Sequence, residues 1–160
     1  MKYFNRKNIR MNEETMKIHE FFMRKCIELA KISKSHGESP VGSLLVLEGK
    51  VIGEGTEAVK TKNDLTCHAE IEAIRRANDL LKTRDLSGTV LYTTHEPCIM
   101  CAYMIRQSKI AMVVSGISTG EIGGYSSHLA VLTDDKIQRW NSPPLLVKGI
   151  LENECAALND

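Results

Sequence analysis

The chain has no run that approaches the roughly 20 consecutive apolar residues of a membrane-spanning helix. Its first residues, Met1 to Met11, are basic and polar and lack the apolar stretch of a secretory signal. Both absences point away from a membrane and toward a cytoplasmic protein. A dominant charge is missing as well: 21 basic and 20 acidic side chains leave a formal net charge of +1. There is no overall field to gather nucleic acid, and a polyanion would have to be held by a local patch. A secreted disulfide framework is also absent, because the chain has five cysteines, two of them in one Cys-x-x-Cys. In a reducing compartment that spacing points to metal or redox chemistry. Cys26 and Cys155 fall in apolar helical patterns and read as inert core residues.

What is present is enough chain, 160 residues, for one globular domain with a single core. Residues 1–12 read as a flexible tail and 13–160 as the domain. Ile18, Phe22, Cys26 and Leu29 recur at helical spacing between about Glu13 and Ser35, and His36-Gly37 ends that helix. His19 and His36 are expected to be solvated. Leu44 to Leu47 and Val51 to Gly55 form a hairpin about Glu48-Gly49-Lys50, and 56–66 reads as an unpatterned loop. A helix follows from His68 to about Lys82, carrying Ile71, Ile74, Ala77 and Leu81. Thr89 to Thr93 is a strand, Cys98 to about Ser108 a helix, and Ile110 to Val114 a strand, an order that suggests a parallel crossover. The pattern then lapses for about 28 residues, a length usually functional or mobile. Tyr125, His128 and Trp140 in that stretch are candidates for a lid or stacking role, or equally for core. Leu145 to Val147 is a short strand, and Gly149 to Leu158 a closing helix. The sum is an α/β domain with a central mixed sheet of about five strands and helices on both faces.

The chemistry is concentrated in Cys67-His68-Ala69-Glu70 and, thirty positions on, Pro97-Cys98-Ile99-Met100-Cys101. One imidazole, two thiolates and one further carboxylate suit a catalytic zinc: three protein ligands, one position left for water, and a base that does not touch the metal. At a helix start, side chains tilt back toward the N-terminus, so His68 and Glu70 can converge over the end of the axis. Cys98 and Cys101, three apart, share one face of the first turn of their own helix, and Pro97 is a residue that begins helices. Two helix N-termini aimed at one point favour thiolates. The same residues leave open a structural zinc, with Cys67 as a fourth ligand, or a dithiol redox pair, although the latter has no need of His68-Ala69-Glu70.

His-x-Glu followed by Pro-Cys-x-x-Cys is a signature of zinc-dependent nucleobase deaminases. The segments Thr66 to Ile74 and Leu91 to Ala102 resemble the two motif blocks of the cytidine deaminase-like superfamily. They look most like the branch that holds tRNA adenosine, guanine and cytosine deaminases. Over roughly Glu13 to Leu158, the resemblance implies a three-layer α/β/α fold and one catalytic Zn2+ held by His68, Cys98 and Cys101. It implies Glu70 as the proton shuttle, Ala69, His95 and Pro97 near the substrate, and a homodimer. His95, beside the ligand loop, is placed to pack over the pocket or contact a phosphate and Glu96 to anchor that loop, with a structural role as the alternative for each. Where the branch carries a Gly-x-Asn element whose amide binds substrate, this chain has Gly55-Thr56-Glu57. A carboxylate accepts hydrogen bonds and cannot donate them, so Glu57 in the pocket would favour a substrate that presents donors; otherwise it is a solvated loop residue and Asn63 contributes instead. The near-neutral chain ends at Leu158-Asn159-Asp160 without the aromatic and basic extension of the tRNA-acting family. That favours a free base or nucleoside as substrate, with adenosine in tRNA as the alternative, since Gly149 to Leu158 is similar to that family's closing segment. A zinc-stabilised binding module without turnover is a reading of another class, disfavoured by Glu70.

Overall fold

The computed structural model describes residues 12–137 and 139–160. The tail expected over residues 1–12 lies outside them except for Asn12, whose side chain caps the first helix by accepting from Thr15 N at 2.8 Å. That helix, α1 (Glu13–Ser35), ends as expected, but its buried stripe is rotated from the predicted one. The stripe runs through His19, Phe22, Met23, Cys26, Ile27 and Ala30, and Ile18 is exposed. His19 is therefore not solvated: it is fully buried, and its Nδ1 lies 3.0 Å from the Tyr92 hydroxyl. A buried partner on a strand far along the chain overrides the local expectation that a polar ring faces water.

The hairpin β1 (Gly42–Leu47) and β2 (Lys50–Thr56) turns at Glu48 and Gly49, both at positive φ, the two-residue geometry that matches strand twist. The loop expected at 56–66 contains one helical turn, α2 (Val59–Lys62), because Glu38 accepts from Lys60 N at 3.1 Å and Thr61 N at 2.6 Å. No residue inside 56–66 announces it. The order continues with α3 (Ala69–Leu81), β3 (Val90–His95), α4 (Ile99–Gln107), β4 (Met112–Ile117), β5 (Leu145–Val147) and α5 (Glu152–Ala156). β4 begins two residues later than expected, since Ile110 closes the α4 turn instead, its N–H bonded to Ile105 O at 3.3 Å. The closing helix is also shorter. Gly149 and Leu151 sit at positive φ, so helical geometry starts only at Glu152 and ends in a 3-10 turn, Ala157–Asn159.

The sheet order is β2-β1-β3-β4-β5, with β1 antiparallel to both neighbours and β3, β4 and β5 parallel. This is the expected mixed five-stranded sheet, including the β3-α4-β4 crossover. On one face, Phe22 and Cys26 of α1 and Cys155 of α5 pack on Leu44, Tyr92 and Val114. On the other, Ile74 of α3 and Ile105 of α4 pack on Leu45, Leu91 and Val113. Cys26 and Cys155 are core residues, as expected. No helix among the described residues is long and apolar enough to cross a membrane.

Two devices fix the metal-bearing helices. α3 lies directly on β2, because Gly53 and Gly55 present no side chain to it; a Cβ at Gly55 would overlap the carbonyl oxygen of Ala69, and one at Gly53 that of Ala73. The irregular stretch after β4 is tied down at both ends. Near the ligand loop, Glu96 accepts from Tyr125 N, Ser126 N and Thr119 N at 2.8, 2.8 and 3.0 Å. At the far end, Arg106 of α4, 1% exposed, donates to the carbonyls of Val131, Asp134, Trp140 and Asn141. Trp140 and Tyr125 pack on the α3/α4 core and His128 is exposed.

Candidate metal centre

His68 immediately precedes α3 and Cys98 immediately precedes α4, both in extended backbone geometry, while Cys101 lies in the first turn of α4. Extended geometry at the helix entrance turns each side chain across the helix end, and the two ends meet. The His68 Nδ1 is 3.6 Å from the Sγ of Cys98 and 3.6 Å from that of Cys101, and the three donor atoms all lie within 4.8 Å of one another. A tetrahedral centre with bonds of about 2.3 Å to sulfur and about 2.05 Å to nitrogen separates those donors by about 3.6 Å. The donor set therefore fits zinc in both chemistry and spacing. Among the described residues the cluster has three members. Cys67, the conceivable fourth ligand, instead lies 3.5 Å from Arg75 Nη1. Three donors leave one tetrahedral position free.

The donors are electrically prepared. The Cys101 thiol, hydrogen-bonded to the Cys98 sulfur, draws Cys98 down to about 4, and His68 reinforces this. The bond to the Cys98 sulfur in turn holds His68 up at about 9. Cys101 is pushed well above the ordinary thiol range, first by its bond to Cys98 and then by burial. Without metal, the site is thus a thiolate-imidazolium pair beside a neutral thiol.

Glu70 lies in the first turn of α3, 3% exposed, and burial pushes its carboxyl up to about 7. One oxygen, Oε1, accepts from the Thr93 hydroxyl at 3.2 Å; the other, Oε2, lies 3.5 Å from Cys101 Sγ. Thr93 in turn accepts from the Ser43 hydroxyl at 2.9 Å. Neither hydroxyl stands out in the sequence. Thr93 reads there only as a β-former, and Ser43 as part of the lead-in to a strand expected from Leu44, whereas β1 starts at Gly42.

The structure brings Glu57 to the site, buried rather than solvated. Its Oε2 accepts from Ala69 N at 3.2 Å and its Oε1 is 3.9 Å from His68 Nε2. Burial raises its carboxyl, opposed by His68. Ala69 N–H, expected near the substrate, is thus engaged by Glu57. Pro97 is buried, and its carbonyl accepts from Gly124 N at 2.8 Å, beside a bridge between Cys98 and Gly123. His95 is half-buried, with Nδ1 3.0 Å from Thr94 Oγ1 and Nε2 3.4 Å from Asn159 Oδ1. Its ring contacts run to the closing turn, and it is not a member of the metal cluster. Glu96 anchors the ligand loop as expected.

Comparison with known proteins agrees with this geometry. The chain is 38% identical over 142 residues, 87% of its length and 84% of the relative's, to the tRNA-specific adenosine deaminase of Buchnera aphidicola subsp. Baizongia pistaciae. It is 34% identical over 136 residues, 85% of its length and 78% of the relative's, to that of Streptococcus pyogenes serotype M1. A chain solved in work on A-to-I editing by tRNA:A34 deaminases superposes with a TM-score of 0.81 at 32% identity, covering 86% of this chain and 98% of that one. Guanine deaminase from Bacillus subtilis gives 0.59 at 36% identity, covering 68% and 66%. The model of the cytidine and deoxycytidylate deaminase zinc-binding region matches residues 16–117, from α1 through both metal motifs to the end of β4; the chain belongs to that family of zinc-dependent deaminases.

Proposed function

We propose that the chain hydrolyses the exocyclic amino group of adenosine within a tRNA, giving inosine and ammonia. What supports this substrate is likeness across nearly the whole chain, at least 85% of it, to relatives named tRNA-specific adenosine deaminase. In the reaction, water adds to the ring carbon that bears the amino group, the adjacent ring nitrogen gains a proton, and ammonia leaves. His68, Cys98 and Cys101 would hold a zinc ion, which would supply a Lewis acid able to make a water nucleophilic at neutral pH. Glu70 would take one proton of the water on Oε2 and pass it to the ring nitrogen, then take the proton of the added hydroxyl and pass it to the departing amine, leaving the carbonyl of the product. Burial raises the Glu70 carboxyl in the metal-free site, and a bound cation would draw it back toward the carboxylate that accepts the proton. A flipped-out base is the form in which a nucleic acid would present its amino group to such a site.

Glu57 favours a second reading, a free amino-substituted base or nucleoside. An acceptor-only side chain beside the metal suits a ring that presents N–H groups or a sugar that presents hydroxyls. The near-neutral chain leaves RNA to be held by local contacts. The deciding experiment measures ammonia release from free bases, nucleosides and nucleotides, and inosine formation in tRNA, with Glu70→Ala as the blank. Inosine in tRNA with no small-molecule turnover supports the first reading. Ammonia from one small molecule and none from tRNA replaces it with the second. Turnover retained in a zinc-loaded Glu70→Ala protein would remove Glu70 from the mechanism under either reading.

A further inference from the structure

The β1-β3-β4 register places Ser43, Thr93 and Ser115 in one row across three strands. The row beside it on the same face, Leu45, Leu91 and Val113, is entirely apolar and forms the core under α3 and α4. All three hydroxyl residues are at most 1% exposed. Burying hydroxyls on a core face costs stability unless they are bonded, and each of these is. Ser43 donates to Thr93, Thr93 donates to Glu70 Oε1, and Ser115 pairs with the Tyr125 hydroxyl at 3.0 Å. A Thr93 hydroxyl has one proton; with Ser43 donating into its oxygen, that proton is directed at the carboxylate.

We propose that Thr93, backed by Ser43, is a positioning residue that holds the Glu70 carboxylate in one rotation, Oε1 fastened to the sheet and Oε2 turned toward the metal ligands. This rests on Glu70 as the proton shuttle. A carboxylate has two equivalent oxygens and a broad terminal torsion, and α3 fixes only its backbone. The sheet hydroxyl removes that freedom, so the oxygen that works on water is already in place. A cross-strand Ser-Thr bond is a natural way to stiffen the donor.

The test uses the zinc-loaded full chain with Thr93→Val, Thr93→Ser and Ser43→Ala, each also in a Glu70→Ala background. Thr93→Val keeps the shape and loses the hydroxyl; Thr93→Ser keeps the hydroxyl. The first measurement is independent of substrate: a crystal structure of zinc-loaded Thr93→Val should show Glu70 rotated or in two orientations, with zinc content unchanged. A single unaltered carboxylate overturns the proposal, as does loss of zinc, which would mean that Thr93 acts on the ligands. On whichever substrate turns over, Thr93→Val should lower kcat roughly 10- to 100-fold, the rate equivalent of one charge-assisted hydrogen bond. KM should change by less than about threefold, the signature of an interaction made in the transition state. Thr93→Ser should restore most of the rate, Ser43→Ala should cost a few-fold, and Thr93→Val should cost nothing further once Glu70 is alanine. Equal loss in Thr93→Val and Thr93→Ser, or additive loss with Glu70→Ala, would show a packing effect and overturn the proposal. Normal turnover in Glu70→Ala alone is the separate result that defeats the shuttle itself.

Discussion

Removing zinc and returning it at controlled pH should release about two protons per metal at pH 8. The count follows from the metal-free site. His68, held near 9 by the Cys98 sulfur, is still mostly protonated at that pH. Cys101 keeps its thiol proton because its level is raised well above the ordinary one. Cys98, drawn down to about 4, is already a thiolate and contributes nothing. Zinc competes with protons for His68 and Cys101, so affinity rises with pH. Two protons correspond to an increase of about 100-fold per pH unit. Above pH 9 the slope falls toward about one, when His68 has lost its proton in the metal-free state as well. Below pH 7, Glu70, itself near 7, can add up to about one more as the loaded site favours its carboxylate. The assay is competition with a chromophoric chelator across pH 6 to 10, paired with calorimetry in buffers of different ionisation heat. A count of about one at pH 8 would mean that His68 is neutral without metal and the thiolate-imidazolium pair does not exist. A count of about three at pH 8 would mean that Cys98 enters as a thiol. Either result refutes the charge distribution derived from the geometry.

Two further outcomes are expected. Arg106→Met should strand buried carbonyls, Val131 O above all, and cost roughly 3 kcal/mol, lowering Tm by about 6 to 12 °C; limited proteolysis should then cut within 118–144. An unchanged Tm and cleavage pattern would show that the clamp is dispensable. Gly55→Ala should force the start of α3 off β2, with a stability loss of about 1 to 3 kcal/mol in urea denaturation and weaker zinc binding by at least about tenfold. Unaltered zinc affinity would show that the metal site does not depend on that contact.

The metal site was legible because its geometry is local. Cys98 and Cys101 share one helical turn and His68 and Glu70 flank one helix start, so each half is visible locally, and the resemblance to the deaminase signature joined the halves into one ligand set. Long strands and helices were legible for a similar reason, since apolar periodicity survives without knowledge of the partner. What escaped depends on distant partners. His19 is buried because of Tyr92, α2 forms because Glu38 caps it, and Arg106 is satisfied by carbonyls of an irregular segment about 30 residues away. Ser43 and Thr93 gain their meaning only from strand register. The substrate preference drawn from net charge and the closing residues was weaker still, because those features describe the periphery, and the relatives named tRNA-specific adenosine deaminase match along the body of the chain.

The seat of α3 on Gly53 and Gly55 bears on how this protein can vary. With no side chain between strand and helix, the height of His68 and Glu70 above the sheet is set by the radii of backbone atoms. Exchanges among core residues on the opposite face of the sheet, such as Phe22, Leu44 or Val114, can therefore alter packing there while leaving that spacing alone. Sequence drift in the core and constancy of the reaction centre become compatible, and the two glycines are where that compatibility would first be lost.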